Sequence, residues 1–313
     1  MNAARRTGRG PWNRVLAMVV AAAGAGACDQ SPRYERNVQG VFGETGMGPG
    51  EFSYPRAVAT AADGTVFIVD KTARIQRFNA KGEFETGWRM PEWKFGKPVG
   101  LAVHPDGRIF VADTHYSRVM IYDRDGKLVG QFGEKGEGDG QFLLPTDVAF
   151  DGSGRIYVAE YGGNDRISVY TPDGRFLCSF GGPDAGKARL QRPAGLVFDD
   201  RDQLWVADAC NHRICRFSTA GKLTFAFGSL GTDPGQLRYP YDLTRLADGT
   251  LLVCEFGNNR LQRFSPDGRC LDVWGSSGRE IGQLAAPWGV DISPTGLVYV
   301  VDSYNNRVQI LDL

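Results

Sequence analysis

PAGLVFDDRDQLWVADACNHRICRF, residues 193–217, contains the pattern that decides the fold. An apolar run follows Pro193, a second one ends at Asp208, and a third begins at Arg213-Ile214. The proline recurs at intervals of 43, 47, 48, 47 and 47 residues, as Pro55, Pro98, Pro145, Pro193, Pro240 and Pro287. A fixed period of about 40 to 50 residues indicates a repeat protein in which each unit is one small structural element.

An acidic residue and an arginine recur with the same spacing as the proline. The acid ends an apolar run in all six repeats, as Asp70, Asp113, Glu160, Asp208, Glu255 and Asp302. Four to six residues later an arginine precedes an aliphatic residue, as Arg74, Arg118, Arg166, Arg213, Arg260 and Arg307. Because the two occur together in every repeat, we expect them to pair with each other, or the acids to bind backbone amides, and so to hold the repeats together.

Each repeat contains four short apolar stretches separated by turns. In the second repeat these are 100–103, 109–112, 118–122 and 128–132, with Asp106-Gly107 and Asp125-Gly126 between them. Asp-Gly supplies the positive backbone φ angles that tight hairpins require. Four antiparallel strands in each unit of this length are typical of a propeller blade. The sequence therefore predicts an all-β fold, a six-bladed β-propeller with four-stranded antiparallel blades.

The chain termini predict how the ring closes. The last repeat stops at Leu313, just after its third strand, whereas residues 38–43 match the fourth strand of the second repeat, 128–133. We expect the N-terminal strand to complete the last blade and so to remove an open sheet edge. The propeller domain is predicted to span residues 34–313.

The repeats resemble a known family. Pro-Xaa-Gly-Leu-Ala-Val, an Asp-Gly turn, an apolar run into Asp and then Asn-Xaa-Arg-Ile is similar to the NHL repeat, most closely at 207–214 and 255–260. The resemblance covers about residues 34–313 and implies the propeller fold. It implies no single function, since NHL propellers include scaffolds, RNA binders, substrate arms of ubiquitin ligases and a peptide-amidating lyase.

The first 28 residues indicate export. Residues 1–14 carry four arginines and no acid, an apolar run follows, and small residues precede Cys28. This is the pattern of a secretory signal peptide, here 1–27. The end of it resembles a bacterial lipobox, although Ala25 stands where that motif usually has Leu, so we expect Cys28 to be lipidated and 28–33 to form a tether. The alternative is ordinary cleavage and a soluble periplasmic or secreted protein.

Charge argues against nucleic acid as a partner. The chain has 36 basic residues (Lys and Arg) and 36 acidic residues (Asp and Glu). Without the four arginines of the predicted signal peptide, 32 basic residues remain against 36 acidic ones. A phosphate-binding surface needs the opposite sign. The chain also has no Cys/His cluster for a RING domain, which disfavours a ubiquitin-ligase role. We expect a monomer.

Candidate site residues lie on one face of the predicted ring. The Asp-Gly hairpins share one face, so the longer loops share the other, and long loops on a rigid scaffold usually carry binding residues. Asp147 and Asp242 stand two residues after the repeated proline in the third and fifth repeats only. With them at or near the channel mouth we expect Arg56, Tyr241, Trp288, Tyr161 and Phe256, and in the loops of the same face His115 and His212.

The same acids allow a second interpretation. Asp147, Asp242, Glu160 and Glu255 near one axis provide oxygen ligands for Ca²⁺ or another divalent cation. That arrangement resembles the gluconolactonase and regucalcin propellers, in which a metal polarises a lactone or ester carbonyl. Their Glu/Asn/Asn/Asp ligand set does not align residue by residue with this chain.

Two further features leave alternatives open. Cys210 and Cys215 are expected to form a disulfide in an oxidising compartment, or with His212 to form part of a metal site. The short loop before Pro98 contains Trp88 and Trp93, which either pack onto the blade or contact a partner.

The sequence contains no nucleophile elbow, phosphate-binding loop or zinc-protease motif. We therefore expect a non-enzymatic, exported and lipid-anchored propeller that binds a protein, peptide or glycan through its loop-rich face, with no firm cofactor. The alternative is a metal-dependent lactonase- or esterase-like hydrolase.

Overall fold

Six four-stranded antiparallel sheets follow one another in residues 37–313, the part of the chain that the computed structural model describes. The predicted signal peptide 1–27, Cys28 and the tether 28–33 lie outside the described residues. No helix within residues 37–313 is long and apolar enough to cross a membrane.

The strands occur in the predicted order. The chain begins with β1 (Val38–Phe42) and a short parallel pair, β2 (Glu44–Thr45) and β3 (Glu51–Phe52). Blade 1 is β4 (Pro55–Thr60), β5 (Val66–Asp70), β6 (Arg74–Phe78) and β7 (Phe84–Arg89). Blade 2 is β8 (Gly100–Val103), β9 (Ile109–Asp113), β10 (Arg118–Tyr122) and β11 (Leu128–Phe132). Blade 3 is β12 (Leu144–Phe150), β13 (Ile156–Tyr161), β14 (Arg166–Tyr170) and β15 (Phe176–Phe180).

The second half repeats this organisation. Blade 4 is β16 (Pro193–Phe198), β17 (Gln203–Asp208), β18 (Arg213–Ser218) and β19 (Leu223–Phe227). Blade 5 is β20 (Pro240–Arg245), β21 (Leu251–Glu255), β22 (Arg260–Phe264) and β23 (Cys270–Trp274). Blade 6 contains β24 (Val290–Ile292), β25 (Val298–Asp302) and β26 (Arg307–Leu311). Single 3-10 turns occur at Thr114–Tyr116, Gly186–Ala188, Ala209–Asn211 and Ser303–Asn305.

The predicted closure of the ring is confirmed. β1 pairs antiparallel with β26, with Val38 opposite Leu311 and Phe42 opposite Val308. Asn37 donates from Nδ2 to the Asp312 carbonyl at 2.7 Å and accepts from the Asp312 N–H at 2.9 Å. Blade 6 therefore contains both ends of the described chain, as the matching strand motifs predicted.

The apolar core lies between blades. The second strands are buried along their length, and their side chains contact the neighbouring blade on both faces. Ala159 and Ile167 of blade 3, for example, belong to one cluster with Leu204 and Val206 of blade 4. The Asp-Gly turns form as expected: Gly107 adopts φ +90° and donates its N–H to the His104 carbonyl at 2.8 Å.

The repeated acid and arginine form an ion pair in all six blades. Their N···O distances are 2.6–3.0 Å, and the acid is buried in each pair. In five blades the carboxylate also accepts a backbone N–H from the long loop that enters its own blade; the donors are Ser53, Leu143, Gln191, Arg238 and Ala285. The structural role expected for the repeated pair is confirmed, and it extends to fixing the entry loops.

Blade 2 departs from this pattern because its entry loop is shorter. The Asp113 carboxylate pairs with Arg118 at 3.0 Å, but its Oδ1 has no hydrogen-bond partner among the described residues. Burial raises the pKa of Asp113 to about 6. Arg118 makes a second ion pair with Glu92 of the short loop at 2.6 Å.

We expect Glu255→Ala to lower the free energy of unfolding by about 3 to 5 kcal/mol, because it leaves the buried Arg260 guanidinium without its counter-ion. Glu255 accepts hydrogen bonds from Arg260 (2.6 Å), Asn258 (2.6 Å) and Gln262 (2.7 Å). Chemical denaturation followed by circular dichroism measures the change. The control is Glu44→Ala on exposed β2, expected within about 0.5 kcal/mol of the parent; equal effects of the two variants would contradict the proposed role of the pair.

Candidate functional site

A cavity of about 460 Å³ occupies the axis of the ring. The first strand of every blade contributes to its wall, and the residue directly after the repeated proline lines it in all six repeats, as Arg56, Val99, Thr146, Ala194, Tyr241 and Trp288. Lys97 and His115, from the loops of the opposite end to the Asp-Gly hairpins, also line it. The cavity therefore reaches the loop-rich face, where the sequence predicted the site.

Six side chains, one from each blade, surround the opening of this cavity. We call them the mouth ring: Arg56, His115, Tyr161, Arg192, Tyr241 and Trp288. Four stand beside the repeated proline, and the other two, Tyr161 and His115, stand one and two residues after the repeated acid. The scaffold thus places the same few repeat positions at the mouth, while the residue type differs from blade to blade.

Cation–π contacts connect most of the ring. The Arg56 guanidinium lies 3.8 Å from the Trp288 ring centroid. Trp288 lies 4.8 Å from Tyr241, and the Arg192 guanidinium lies 5.1 Å from Tyr241 and 4.9 Å from Tyr161. A continuous series of contacts between arginine and aromatic side chains therefore runs across blades 3, 4, 5, 6 and 1, and it restrains both guanidinium groups.

The mouth ring is electropositive. Arg56 is largely enclosed, and burial together with the charge of Arg192 lowers its pKa. Burial and the charges of Lys97 and Arg56 lower the pKa of His115, which favours the neutral imidazole at neutral pH. Among the described residues, neither Arg56 nor Arg192 makes an ion pair, and the buried Arg56 Nε has no hydrogen-bond partner.

Three carboxylates lie deeper in the same cavity, and we call Asp147, Asp242 and Asp291 the channel carboxylates. Each accepts a backbone N–H from the next blade: Asp147 from Leu196 at 2.9 Å, Asp242 from Val290 at 2.9 Å and Asp291 from Thr60 at 2.7 Å. They therefore join the innermost strands across three blade boundaries.

Burial raises the pKa of all three channel carboxylates, and repulsion from the neighbouring carboxylates adds to the shift for Asp147 and Asp242. Burial, with the charge of Asp291, raises the pKa of Asp147 to about 7. Burial and the charge of Asp147 raise the pKa of Asp242 well above its usual range. The pKa of Asp291 rises for the same first reason, burial.

Glycines accommodate these aspartates in the neighbouring blades. A Cβ on Gly100 would lie 2.1 Å from the Thr146 carbonyl oxygen, and one on Gly195 would lie 2.5 Å from Asp242 Oδ1. Only glycine allows the backbones to approach so closely. The alternation of Gly and Asp two residues after the repeated proline is therefore a packing requirement of the channel wall.

The structure brings together most of the residues predicted for the site. Arg56, Tyr161, Tyr241, Trp288, His115, Asp147 and Asp242 all line the cavity. Phe256 lies behind the wall and stacks on Tyr241, with centroids 4.6 Å apart. His212 lies away from the cavity: its Nδ1 accepts the Tyr239 N–H at 3.1 Å, and its ring packs on Tyr239.

The predicted metal set is not assembled. Glu160 and Glu255 are fully buried in ion pairs with Arg166 and Arg260, each at 2.6 Å, and do not line the cavity. The oxygens of Asp147 and Asp242 are engaged by backbone amides. Within residues 37–313 no three acid, histidine or cysteine side chains converge as metal ligands. These residues do not fit a divalent cation, and we derive no step through one.

The expected disulfide is also absent: Cys210 and Cys215 are both free. Cys215 is in the middle of β18 and points into the core, with its Sγ 3.8 Å from Asp208, whereas Cys210 lies in a 3-10 turn near the surface. His212 does not join them, as its Nδ1 is engaged by Tyr239.

The two tryptophans near Pro98 behave differently. Trp88 belongs to β7 and packs against Phe67 and Tyr122. Trp93 is 47% exposed in the loop, with the Arg89 guanidinium 4.7 Å from its ring.

Sequence reasoning missed Arg192, Lys97 and Asp291. Arg192 and Lys97 directly precede the repeated proline, a position that has no common residue type across the six repeats. Asp291 stands four residues after it, where all six repeats line the channel, as Ala59, Ala102, Ala149, Val197, Thr244 and Asp291. The residues one position before and four positions after the repeated proline carry the signal for these three residues, in addition to the position two after it.

Comparisons with known proteins agree with the repeat and the fold. The NHL repeat family matches residues 190–217 and 284–311, and a family described as a six-bladed beta-propeller matches 92–177. Protein brain tumor of Drosophila melanogaster is 44% identical over 70 residues, which is 22% of this chain and only 7% of that protein's length.

Solved structures share the architecture at low identity. A streptogramin B lyase aligns with a TM-score of 0.62 and 17% identity over 85% of this chain and 95% of its own. Virginiamycin B lyase from Staphylococcus aureus aligns with a TM-score of 0.61 and 18% identity over 88% of this chain and 97% of its own. A putative gluconolactonase aligns with a TM-score of 0.63 and 16% identity over 84% of this chain and 90% of its own. At this identity the likeness shows the fold alone.

Asp147→Asn is expected to flatten the dependence of stability on pH. The folded-state pKa of Asp147, about 7, lies above the ordinary aspartate pKa of 3.8, so the folded state binds the proton more tightly than the unfolded state. Its contribution to stability is complete below about pH 4 and is lost as pH rises through about 7. Melting temperatures measured from pH 4 to 8 should fall less steeply in the variant than in the parent. Asp125→Asn, at a side chain that is 91% exposed, is the control and should follow the parent; parallel curves for Asp147→Asn would contradict the assignment.

Proposed function

We propose that this six-bladed propeller with NHL repeats is an exported, lipid-anchored binding protein of the cell envelope, acting as a monomer and receiving a protein, peptide or glycan at its channel mouth. One observation carries the proposal. The mouth ring holds two guanidinium groups against aromatic rings, and no carboxylate of the described chain pairs with either. Donors that are already restrained lose little further freedom on binding, which favours recognition of an external group.

The shape of the site supports binding at the mouth. The cavity of about 460 Å³ is large enough for a small molecule or for one or two residues of a larger partner. The entry loops around it are fixed by the buried acid–arginine pairs, so the mouth ring stands on a rigid frame. The export signal and Cys28, inferred from sequence, support the envelope location.

Disrupting the mouth ring is expected to abolish ligand capture without unfolding the protein. We expect the parent, purified from detergent extracts of cells that express it naturally, to retain a ligand that the double variant Arg56→Ala/Trp288→Ala loses. Mass spectrometry of the eluted protein identifies the ligand. Leu177→Ser, on the exposed outer strand β15, is the matched control and should retain it. Equal retention by all three proteins would contradict binding at the mouth.

A second candidate is an enzyme acting in the same cavity. The pKa of Asp147 is raised and that of His115 is lowered, and opposite shifts in one cavity are typical of acid–base catalysis. The solved neighbours named as a lyase and a putative gluconolactonase share this fold. Turnover of a lactone or ester that disappears in Asp147→Asn and His115→Gln, with the fold intact, would favour this candidate over simple binding.

Cys28→Ser is expected to move the protein from the membrane fraction to the soluble fraction, because a diacylated N-terminal cysteine would provide the anchor. Fractionation followed by immunoblotting measures the change, and the intact mass of the mature parent should begin at a modified Cys28. An unmodified Cys28 in the membrane-extracted parent would remove the anchor from the proposal and leave a soluble exported protein.

A further inference from the structure

Arg56 and Arg192 differ in their partners from the six repeated arginines. The six repeated arginines are neutralised by the six repeated acids at 2.6–3.0 Å. Arg56 and Arg192 belong to neither the repeat nor any ion pair within residues 37–313, and Arg56 Nε is buried without an acceptor. A buried cation that lacks a counter-ion is costly. An anionic group from outside the chain, bound at the terminal Nη groups, would supply the missing counter-ion.

The aromatic contacts leave the donors of both guanidinium groups available. Trp288 contacts Arg56, and Tyr161 and Tyr241 contact Arg192, at 3.8–5.1 Å from the ring centroids. Such contacts use the flat face of a guanidinium, whereas hydrogen bonds leave along its edge. The edge presents N–H pairs whose spacing matches the two oxygens of a carboxylate. The mouth ring is therefore suited to a planar, bidentate acceptor.

The surrounding charges favour a ligand with a single negative charge. Lys97 adds a cation on the blade 2 side, and His115 beside it is mainly neutral at neutral pH. The three channel carboxylates line the same cavity, and each one that ionises adds a negative charge that repels a second charge on the ligand. An extended polyanion such as RNA needs basic groups along many phosphates, which two arginines and a lysine do not provide.

The wall of the cavity below the mouth selects the rest of the ligand. Small apolar side chains, among them Val99, Leu101, Ala194, Leu196 and Val290, line it together with the channel carboxylates and several threonines. The channel carboxylates already accept backbone N–H groups, so they offer fewer free acceptors to the hydroxyls of a sugar acid. An apolar chain or ring would bury its surface there favourably.

We propose that the mouth ring binds a monocarboxylate with an apolar body, either a free organic acid or the carboxyl terminus of a peptide ending in an apolar residue. The carboxylate accepts hydrogen bonds from Arg56 and Arg192, and the apolar body extends past Trp288 and Tyr241 into the channel. This assignment deepens the proposed function and rests on it, because it names the chemical group that the mouth recognises.

Isothermal titration of the purified full chain tests the assignment with defined probes. The probes are 3-phenylpropionate, an acetylated pentapeptide ending in Phe with a free carboxyl terminus, the amide of each, glucuronate and inorganic phosphate. We expect at least one of the two free acids to bind about tenfold more tightly than its amide, since a charge-assisted pair is lost in the amide. Binding of 3-phenylpropionate but not of the peptide identifies a small organic acid as the ligand. Tighter binding of the peptide than of 3-phenylpropionate identifies a peptide carboxyl terminus.

Variants assign the binding to the two arginines. Arg56→Gln and Arg192→Gln should each weaken binding of the free acid about tenfold, with unchanged melting temperature. Arg192→Lys, which retains charge but not the planar fork, should restore only part of it. Arg216→Gln is the matched control, because Arg216 also stacks on aromatic rings, Trp205 and Phe225, but does not line the cavity.

Several results would overturn the assignment. Equal affinity for the acids and their amides would show that the carboxylate is not the recognised group. Glucuronate or phosphate binding as tightly as the apolar acids would show that the ligand is not an apolar monoanion. An equal loss of affinity in Arg216→Gln would show that binding does not take place at the mouth ring. Absence of binding for every probe overturns it as well. The capture experiment with Arg56→Ala/Trp288→Ala remains a separate measurement, so a positive result there with negative titrations would retain a binding mouth of different chemistry.

Discussion

The buried carboxylate at the end of each second strand joins parts of the chain that are remote in sequence. Glu160 illustrates this: it pairs with Arg166 on the next strand and accepts the N–H of Leu143 from the entry loop. Arg166 in turn donates to the carbonyls of Gly138 and Gln141 in the same loop. An ionised group can be buried here because every one of its partners comes from the fold itself. The entry loops, and the mouth residues at their ends, depend on this pairing.

At the channel wall, the innermost strands of neighbouring blades approach one another closely. Where Asp147 and Asp242 project into the axis, the preceding blade presents Gly100 and Gly195, whose missing Cβ atoms leave the space. The next blade presents an N–H, which the carboxylate accepts. The same aspartates that looked like metal ligands in the sequence are therefore also the hydrogen-bond links of the wall.

The fold was predictable because repetition multiplies a weak local signal. One copy of Pro, acid and arginine would not distinguish a propeller, but six in register fix the number of blades, and β1 completes the last one as expected. The site was only partly predictable. Glu160 and Glu255 were assigned to a cation because sequence spacing does not reveal that Arg166 and Arg260 occupy them. Arg192 was missed because its partners, Tyr161 and Tyr241, come from two other blades.

Differences between the repeats are concentrated at the channel mouth, where we propose that a ligand binds. The scaffold requires the same proline, acid and arginine in each blade, so packing decides those positions. The residue directly after the proline is under no such common requirement: it is large and aromatic or cationic in blades 1, 5 and 6, as Arg56, Tyr241 and Trp288, and small in blades 2, 3 and 4. Arg192, directly before its proline, extends the series to blade 4. A ligand held by these side chains would lie off the axis, against blades 4, 5, 6 and 1, and would face Lys97 and His115 of blade 2 across the mouth.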